Sequence, residues 1–219
     1  MVSPRARTSG AKKSKPSRGT KGARVRLEVD ARRAQLVEMG LEMFAVQSYD
    51  ALSIEEVAQR AGVSKGLLYH YFPTKRDFYC ACLEEAAGRL MARTEVDRTL
   101  TPLASLERGL DAYLQYVAEH GPAYLALMRG GIGSDPAVAA IVQRTRGAYL
   151  KRLLDAIGTH EPPPLLRTAL WGWVGFVESA SLDWVEHRDL AREAVRDLLV
   201  HELLQLFLRV GGELPAPRG

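Results

Sequence analysis

The segment from Ser53 to Phe72 constrains this chain more than any other part of it. Ser53-Ile54-Glu55-Glu56 is a capping box, in which the serine hydroxyl accepts from free backbone N–H groups of a first helical turn while Glu56 reaches back. Gly62 stands where a left-handed C-terminal cap is needed, and Ser64 can cap a new helix two residues later. Phe72-Pro73 ends that second helix, because proline disfavours helical geometry in the residue before it. Two short helices joined by a tight turn follow. Ile54, Val57, Ala58 and Ala61 form the apolar stripe of the first, and Val63, Leu67, Leu68 and Phe72 can anchor the second against it. Ala58 is small enough to let the two cross closely.

Helix punctuation continues along the chain, and no convincing period-2 strand pattern interrupts it. A first helix is expected over about 30–47, with Leu36, Met39, Gly40, Met43 and Phe44 at helical spacing. Thr74 and Asp77 open another. Thr101-Pro102 and Asp135-Pro136 each pair a capping residue with proline at a first helical position, and Gly121, Gly158 and Gly211 suit positions just past helix ends. Further helices are expected at about 102–120, 122–130, 136–157, 163–187 and 190–210. The reading is all-α with about nine helices: a basic arm over 1–26 expected to be disordered, a three-helix helix-turn-helix domain over 27–83, and a further helical domain over 84–219.

Charge is distributed unevenly. Of 30 basic residues, nine lie before Leu27 with no acid among them, which leaves 21 against 26 acids and a net charge of −5 on the remainder. The arm also has almost no apolar side chains, so burial cannot offset the entropy of ordering it. It is either a solvated tail or a cationic arm for DNA phosphates. The longest apolar stretch, Ala169 to Val177, is closed by Arg167 and Glu178 and falls short of the roughly 20 residues of a membrane span. No apolar core of a secretory signal is present, so a cytoplasmic location is expected. Cys80 and Cys82 point to different helix faces and read as core thiols, and the histidines His120, His160, His187 and His201 are scattered, so no metal or other cofactor is expected.

Two helices joined through a short glycine turn can place the second in a DNA major groove, its first residues nearest the base edges. Ser64, Lys65 and Gly66 lie at that end, where free N–H groups favour a phosphate and glycine permits close approach. Lys65 can also reach guanine O6 and N7. Tyr69, His70 and Tyr71 offer donors to phosphate or base, and three adjacent positions cannot all point inward. Lys75 begins the next helix.

The stretch from about Arg32 to Leu83, above all SIEEVAQRAGVSKGLLYHYFPTKRDFY, resembles the N-terminal domain of the tetracycline-repressor (TetR) family of regulators. Val63, Ser64, Lys65, Gly66, Tyr69 and Lys75 carry the likeness. The resemblance implies that Ser53 caps its helix while contacting phosphate, that Lys65 and Gly66 touch DNA, and that Tyr69, His70, Tyr71 and Lys75 hold the backbone. Leu67 stands where many relatives carry a smaller or polar residue, and either meets a thymine methyl or packs.

The resemblance further implies an effector pocket in the C-terminal half and a homodimer made by the last two helices. Pocket candidates are Tyr113, Tyr116, Tyr124, Met128, Tyr149, Trp171 and Phe176. Interface candidates are Trp173, Val177, Trp184, Leu203 and Phe207, from two long apolar helices joined by His187-Arg188-Asp189. Residues 113–146 are similar to members linked to lipid metabolism, which suggests a hydrophobic, fatty acyl-type effector. Glu178 and Asp183 are read as solvated or interface charges.

An enzyme is not expected. Gly62-Val63-Ser64-Lys65-Gly66 matches a hydrolase nucleophile pattern, but that elbow needs a preceding strand and none is available. Gly130-Gly131-Ile132-Gly133 lacks the Lys-Ser/Thr ending of a phosphate loop and reads as a connector. The expectation is a ligand-responsive dimer that binds a palindromic, double-stranded DNA operator as a repressor. The alternative is an architectural protein that coats DNA through its arm without sequence preference.

Overall fold

The computed structural model describes residues 18–121 and 135–210, with side chains from residue 29 onward. Among the described residues there are eight α-helices and no strands: α1 Arg18–Phe44, α2 Ile54–Arg60, α3 Lys65–Tyr71, α4 Lys75–Arg93, α5 Pro102–Glu119, α6 Pro136–Ala156, α7 Pro164–His187 and α8 Arg192–Val210. The helix expected near 122–130 lies outside the described residues. No helix of the described residues is long and apolar enough to cross a membrane.

Most helix starts are where the capping residues place them. Thr101 Oγ1 accepts from Ala104 N at 3.3 Å, and the Asp135 carboxylate accepts from Ala137 N at 2.8 Å. The clear departure is α1, which begins at Arg18 rather than near Asp30 and so takes residues 18–26 of the expected disordered arm into a helix. The reason is local. Arg18, Lys21, Ala23, Arg24 and Arg26 are good helix formers whether or not they bury anything, which counters Gly19 and Gly22, and the lack of apolar side chains says nothing against that propensity. Residues 1–17 of the arm lie outside the described residues.

The chain divides into two compact units, one up to Gln35 and one from Leu36 onward. In the first, the described side chains, Val29 to Gln35, are exposed. The second is built on two hydrophobic cores.

One core joins Leu36, Val37 and Phe44 of α1 to Ile54 and Val57 of α2, Leu68 of α3 with Phe72 after it, and Phe78 and Tyr79 of α4. Its rings meet edge-on, Phe44 to Tyr79 at 4.9 Å and Phe72 to Phe78 at 5.0 Å, the arrangement that sets each ring's positive edge against a negative face. Gly40 lets α1 close on α4. A Cβ there would lie 2.4 Å from Phe78 Cζ and 2.5 Å from Cys82 Sγ. Cys82 is buried, its thiol donating to Val37 O at 3.7 Å, and Cys80 is half-buried.

The other core gathers Leu110, Leu114 and Val117 of α5, Leu170 and Val177 of α7, and Leu199 and Leu203 of α8. The indole Nε1 of Trp173 donates to Leu199 O at 3.0 Å, tying α7 to α8.

Helices α4 and α6 serve both cores. α4 gives Phe78 and Tyr79 to the first and Leu90 to the second; α6 gives Val138 and Ile141 to the first and packs Leu150 and Leu153 against the second. Polar clamps join them along their length in parallel order. Arg76 grips Asp135 through two contacts of 2.5 and 2.8 Å, Arg144 donates to Glu84 at 2.9 Å, and Arg152 reaches the carbonyls of Met91 and Thr94, each at 2.8 Å. Packing therefore runs across the sequence boundary expected at 83, since α6 completes the core around the helix-turn-helix.

Candidate nucleic-acid interface and effector region

The turn from α2 to α3 is built as its residues dictate. Ser53 Oγ accepts from Glu56 N at 3.1 Å while Ser53 N donates to Glu56 Oε2 at 2.7 Å, completing the capping box. Gly62 adopts φ +63°, the left-handed conformation that costs other residues but not glycine. Ser64 Oγ then accepts from Leu67 N at 3.1 Å and starts α3. Leu68 and Phe72 are buried and fix α3 against α2 and α4.

That anchoring leaves one face of α3 outward. Ser64, Lys65, Gly66, Leu67, Tyr69 and His70 are exposed, whereas Tyr71 is half-buried with its ring 5.4 Å from that of His70. Leu67, 38% exposed, is no anchor of α3, which resolves its two readings in favour of an outward side chain. A Cβ on Gly66 would meet only Ser64 Oγ, at 4.0 Å, so nothing inside the protein requires glycine there.

The cations of this region are already engaged. The Lys65 ammonium is held by the Glu55 carboxylate and lies 5.8 Å from the centre of the Tyr69 ring. Their mutual hydrogen bond is the main cause that holds Glu55 below, and Lys65 above, its ordinary pKa. Lys75 is half-buried, with its ammonium 4.5 Å over the Tyr49 ring rather than extended outward. Tyr49 and Glu55 were not legible as parts of the site. The only sequence trace of either is that Glu55 is an acid in a first helical turn which the capping box does not use.

In the C-terminal helices, Tyr113, Tyr116 and Tyr149 come together as packed core. The Tyr113 and Tyr149 rings lie edge-on at 6.5 Å, and Tyr116 stacks on His120 at 4.3 Å while its hydroxyl donates to Ala86 O at 3.4 Å. The Tyr149 hydroxyl shares a 3.0 Å hydrogen bond with Thr94 Oγ1, and burial pushes its pKa up to about 12. Tyr124 and Met128 lie outside the described residues. A cavity of about 270 Å³ opens elsewhere, between Pro102 and Leu106 of α5, Leu153 of α6 with Ile157 after it, and Leu203 and Phe207 of α8. Its lining is almost wholly apolar.

The readings of the last two helices are reversed by the structure. Trp173, Val177, Leu203 and Phe207 are buried inside the subunit and Trp184 is half-buried, its Nε1 donating to Leu190 O at 2.9 Å, so they are core rather than a face for a partner. Trp171 and Phe176, expected in a pocket, are exposed instead. Both helices carry two apolar faces, and periodicity reveals each stripe without saying which one the chain buries. On α7 the outward line is Leu165, Thr168, Gly172, Phe176 and Ser179, and on α8 Leu198 and Leu208 are exposed. A Cβ on Gly172 or Gly175 would meet nothing within 4 Å. Glu178 is not a solvated charge. Arg146 of α6 grips it through contacts of 3.1, 2.9 and 2.5 Å.

An exposed recognition helix, capped at its first residue and pinned from behind by two buried side chains, defines a helix-turn-helix DNA-binding protein. Residues 36–82 match the family described as bacterial regulatory proteins, tetR family, and residues 102–206 match the tetracyclin repressor-like C-terminal domain. The chain is 30% identical to the transcriptional activator FasR of Mycolicibacterium smegmatis over 60% of its own length and 61% of that protein, and 30% identical to the transcriptional regulator AcuR of Cereibacter sphaeroides over 68% and 75% respectively. A solved tetR-family regulator from Streptomyces coelicolor shares the fold with a TM-score of 0.76 and 35% identity, each chain covered to 82%. The chain belongs to the TetR family of ligand-responsive transcriptional regulators.

Proposed function

We propose that the protein is a homodimeric repressor that grips a palindromic operator through the exposed face of α3 and lets go when an apolar small molecule occupies its C-terminal helices. The observation that carries this reading is the outward set Lys65, Gly66, Leu67, Tyr69 and His70 on a helix whose opposite side is locked in the core. Ser53 and Ser64 sit at the helix starts where a phosphate meets free N–H groups, Gly66 gives the DNA backbone room, Leu67 reaches a thymine methyl, and Tyr71 with Lys75 lies at the edge of the contact. The basic residues before Leu27 add phosphate contacts that the acidic remainder lacks. Such a protein works where the chromosome is, in the cytoplasm.

The reading requires a dimer, because two half-sites one DNA turn apart need a two-fold axis. The outward residues Leu165, Trp171, Phe176, Leu198 and Leu208 supply an apolar face, and the open space over Gly172 and Gly175 lets a second copy approach closely. For release, an apolar ligand in the cavity beside Leu153 and Phe207 would bear on α6, and the clamps between α6 and α4 would carry the shift to the helix that follows the recognition helix. A fatty acyl-type chain suits that lining.

The test is an electrophoretic shift on the DNA upstream of its own gene. A retarded band that Lys65→Ala with Tyr69→Ala abolishes is expected, and binding insensitive to both substitutions would sink the proposal. A reporter driven from the same DNA reads the sign, with repression expected.

A further inference from the structure

We infer that Glu55 is a specificity-determining residue, withholding Lys65 from the phosphates of arbitrary DNA so that the lysine commits mainly where base edges receive it. The inference rests on the DNA-binding reading of α3.

Every lysine and arginine from Ser53 to Arg76 already has a partner within the chain. Arg60 pairs with Glu42 at 3.5 Å, Lys65 with Glu55, Lys75 with the Tyr49 ring, and Arg76 with Asp135. Non-specific affinity comes almost entirely from cations neutralising phosphates, so each of these partners competes with a phosphate for its cation. Among these pairs, only Glu55–Lys65 involves a side chain at the start of the recognition helix.

Any acid in the first turn of α2 complements the helix dipole, a role Glu55 shares with Glu56, so its reach to Lys65 is what sets it apart. The cap of α2 is completed by Ser53 and Glu56, and Glu55 is exposed in the next position of the first turn. Its carboxylate reaches across the turn to a lysine ten residues on. An exposed pair of this kind is weak, so DNA can loosen it, but a phosphate that shares Lys65 must lie beside the Glu55 carboxylate, anion against anion. A guanine edge meets a different situation. An ammonium has three donors, so Lys65 can keep Glu55 on one and offer the others to O6 and N7, its direction already set by the carboxylate and the Tyr69 ring.

The experiment compares Glu55→Gln with the natural protein on two probes: a random-sequence duplex pool, and the duplex enriched from that pool by the natural protein. Affinity for the random pool should rise roughly two- to fivefold, the size expected for releasing one exposed pair. The salt slope on the pool should steepen by about 0.9 for one added phosphate contact. Affinity for the enriched duplex should change less, so the ratio between probes falls. Glu55→Asp should keep the natural ratio, and the gain on the pool should vanish when Lys65→Ala is added. Equal gains on both probes, an unchanged salt slope, or a gain that survives Lys65→Ala would each overturn the inference while leaving DNA binding intact. Failure of the natural protein to enrich any duplex would overturn both. Urea unfolding curves that superimpose for the variants establish that folding is not what is being read.

Discussion

The guanidinium of Arg152 in α6 donates to Thr94 O and Met91 O at the C-terminal end of α4, both at 2.8 Å, and to Thr94 Oγ1 at 3.1 Å. A helix end leaves carbonyls without intrahelical donors, and a cation placed there satisfies them and complements the helix dipole. Arg152→Ala strips partners from carbonyls beside the buried Thr94 and should cost about 1–3 kcal/mol in urea denaturation. Arg152→Lys should recover only part, because an ammonium lacks the planar fork that reaches both carbonyls. An alanine variant with unchanged stability would show the clamp to be decorative.

At the opposite end of the same helix pair, the Arg76 guanidinium holds the Asp135 carboxyl down to about 2 against an ordinary 3.8. A carboxyl depressed in the folded state stabilises it above the unfolded value, and that contribution is lost as pH falls from about 4 toward 2. Asp135→Asn keeps a capping side chain but removes the charge. Melting temperature followed from pH 5 to pH 2 should therefore fall more for the natural protein than for the variant, and parallel curves would contradict the assignment.

Gly66 and Gly40 are both glycines in helices, yet they should behave oppositely. Nothing crowds a Cβ at Gly66, so Gly66→Ala should leave stability unchanged or raise it by up to about 1 kcal/mol while weakening DNA binding in a shift assay. At Gly40 the added methyl meets Phe78 and Cys82 inside normal contact distance, and Gly40→Ala should destabilise by about 1–3 kcal/mol. Calorimetry on the two variants separates a glycine kept for an outside partner from one kept for internal packing.

The outward apolar residues of α7 and α8 make a further test. Phe176→Glu with Leu198→Glu puts charge on a face exposed in the subunit, so each chain should still fold while sedimentation shifts from dimer to monomer. The same double substitution should reduce operator affinity, since a lone subunit has one half-site. A dimer that persists would place the interface elsewhere.

Much of this was written in local sequence. Capping boxes, proline at first helical positions and the glycine at 62 act over a few residues, and so the helix-turn-helix itself, the starts of α2 to α7 and the stops of all but α4 were legible directly. The outward face of α3 was legible only in part, since Leu68 and Phe72 anchor the helix as expected while Leu67 points outward and Tyr71 is half-buried. Reading α1 required weighing propensity apart from burial, which is why its start was placed late.

What only the tertiary structure decided is which of two apolar faces the chain buries and which cations it spends on itself. A stripe such as Trp173 and Val177 and a stripe such as Gly172 and Phe176 both recur at helical spacing on α7, and burial of one is settled by α5 and α8 packing against it. The partners Glu55 for Lys65, Tyr49 for Lys75, and Asp135 for Arg76 lie 10, 26 and 59 residues away in sequence. Local rules have no reach over such separations; only the folded chain brings those charges and rings together.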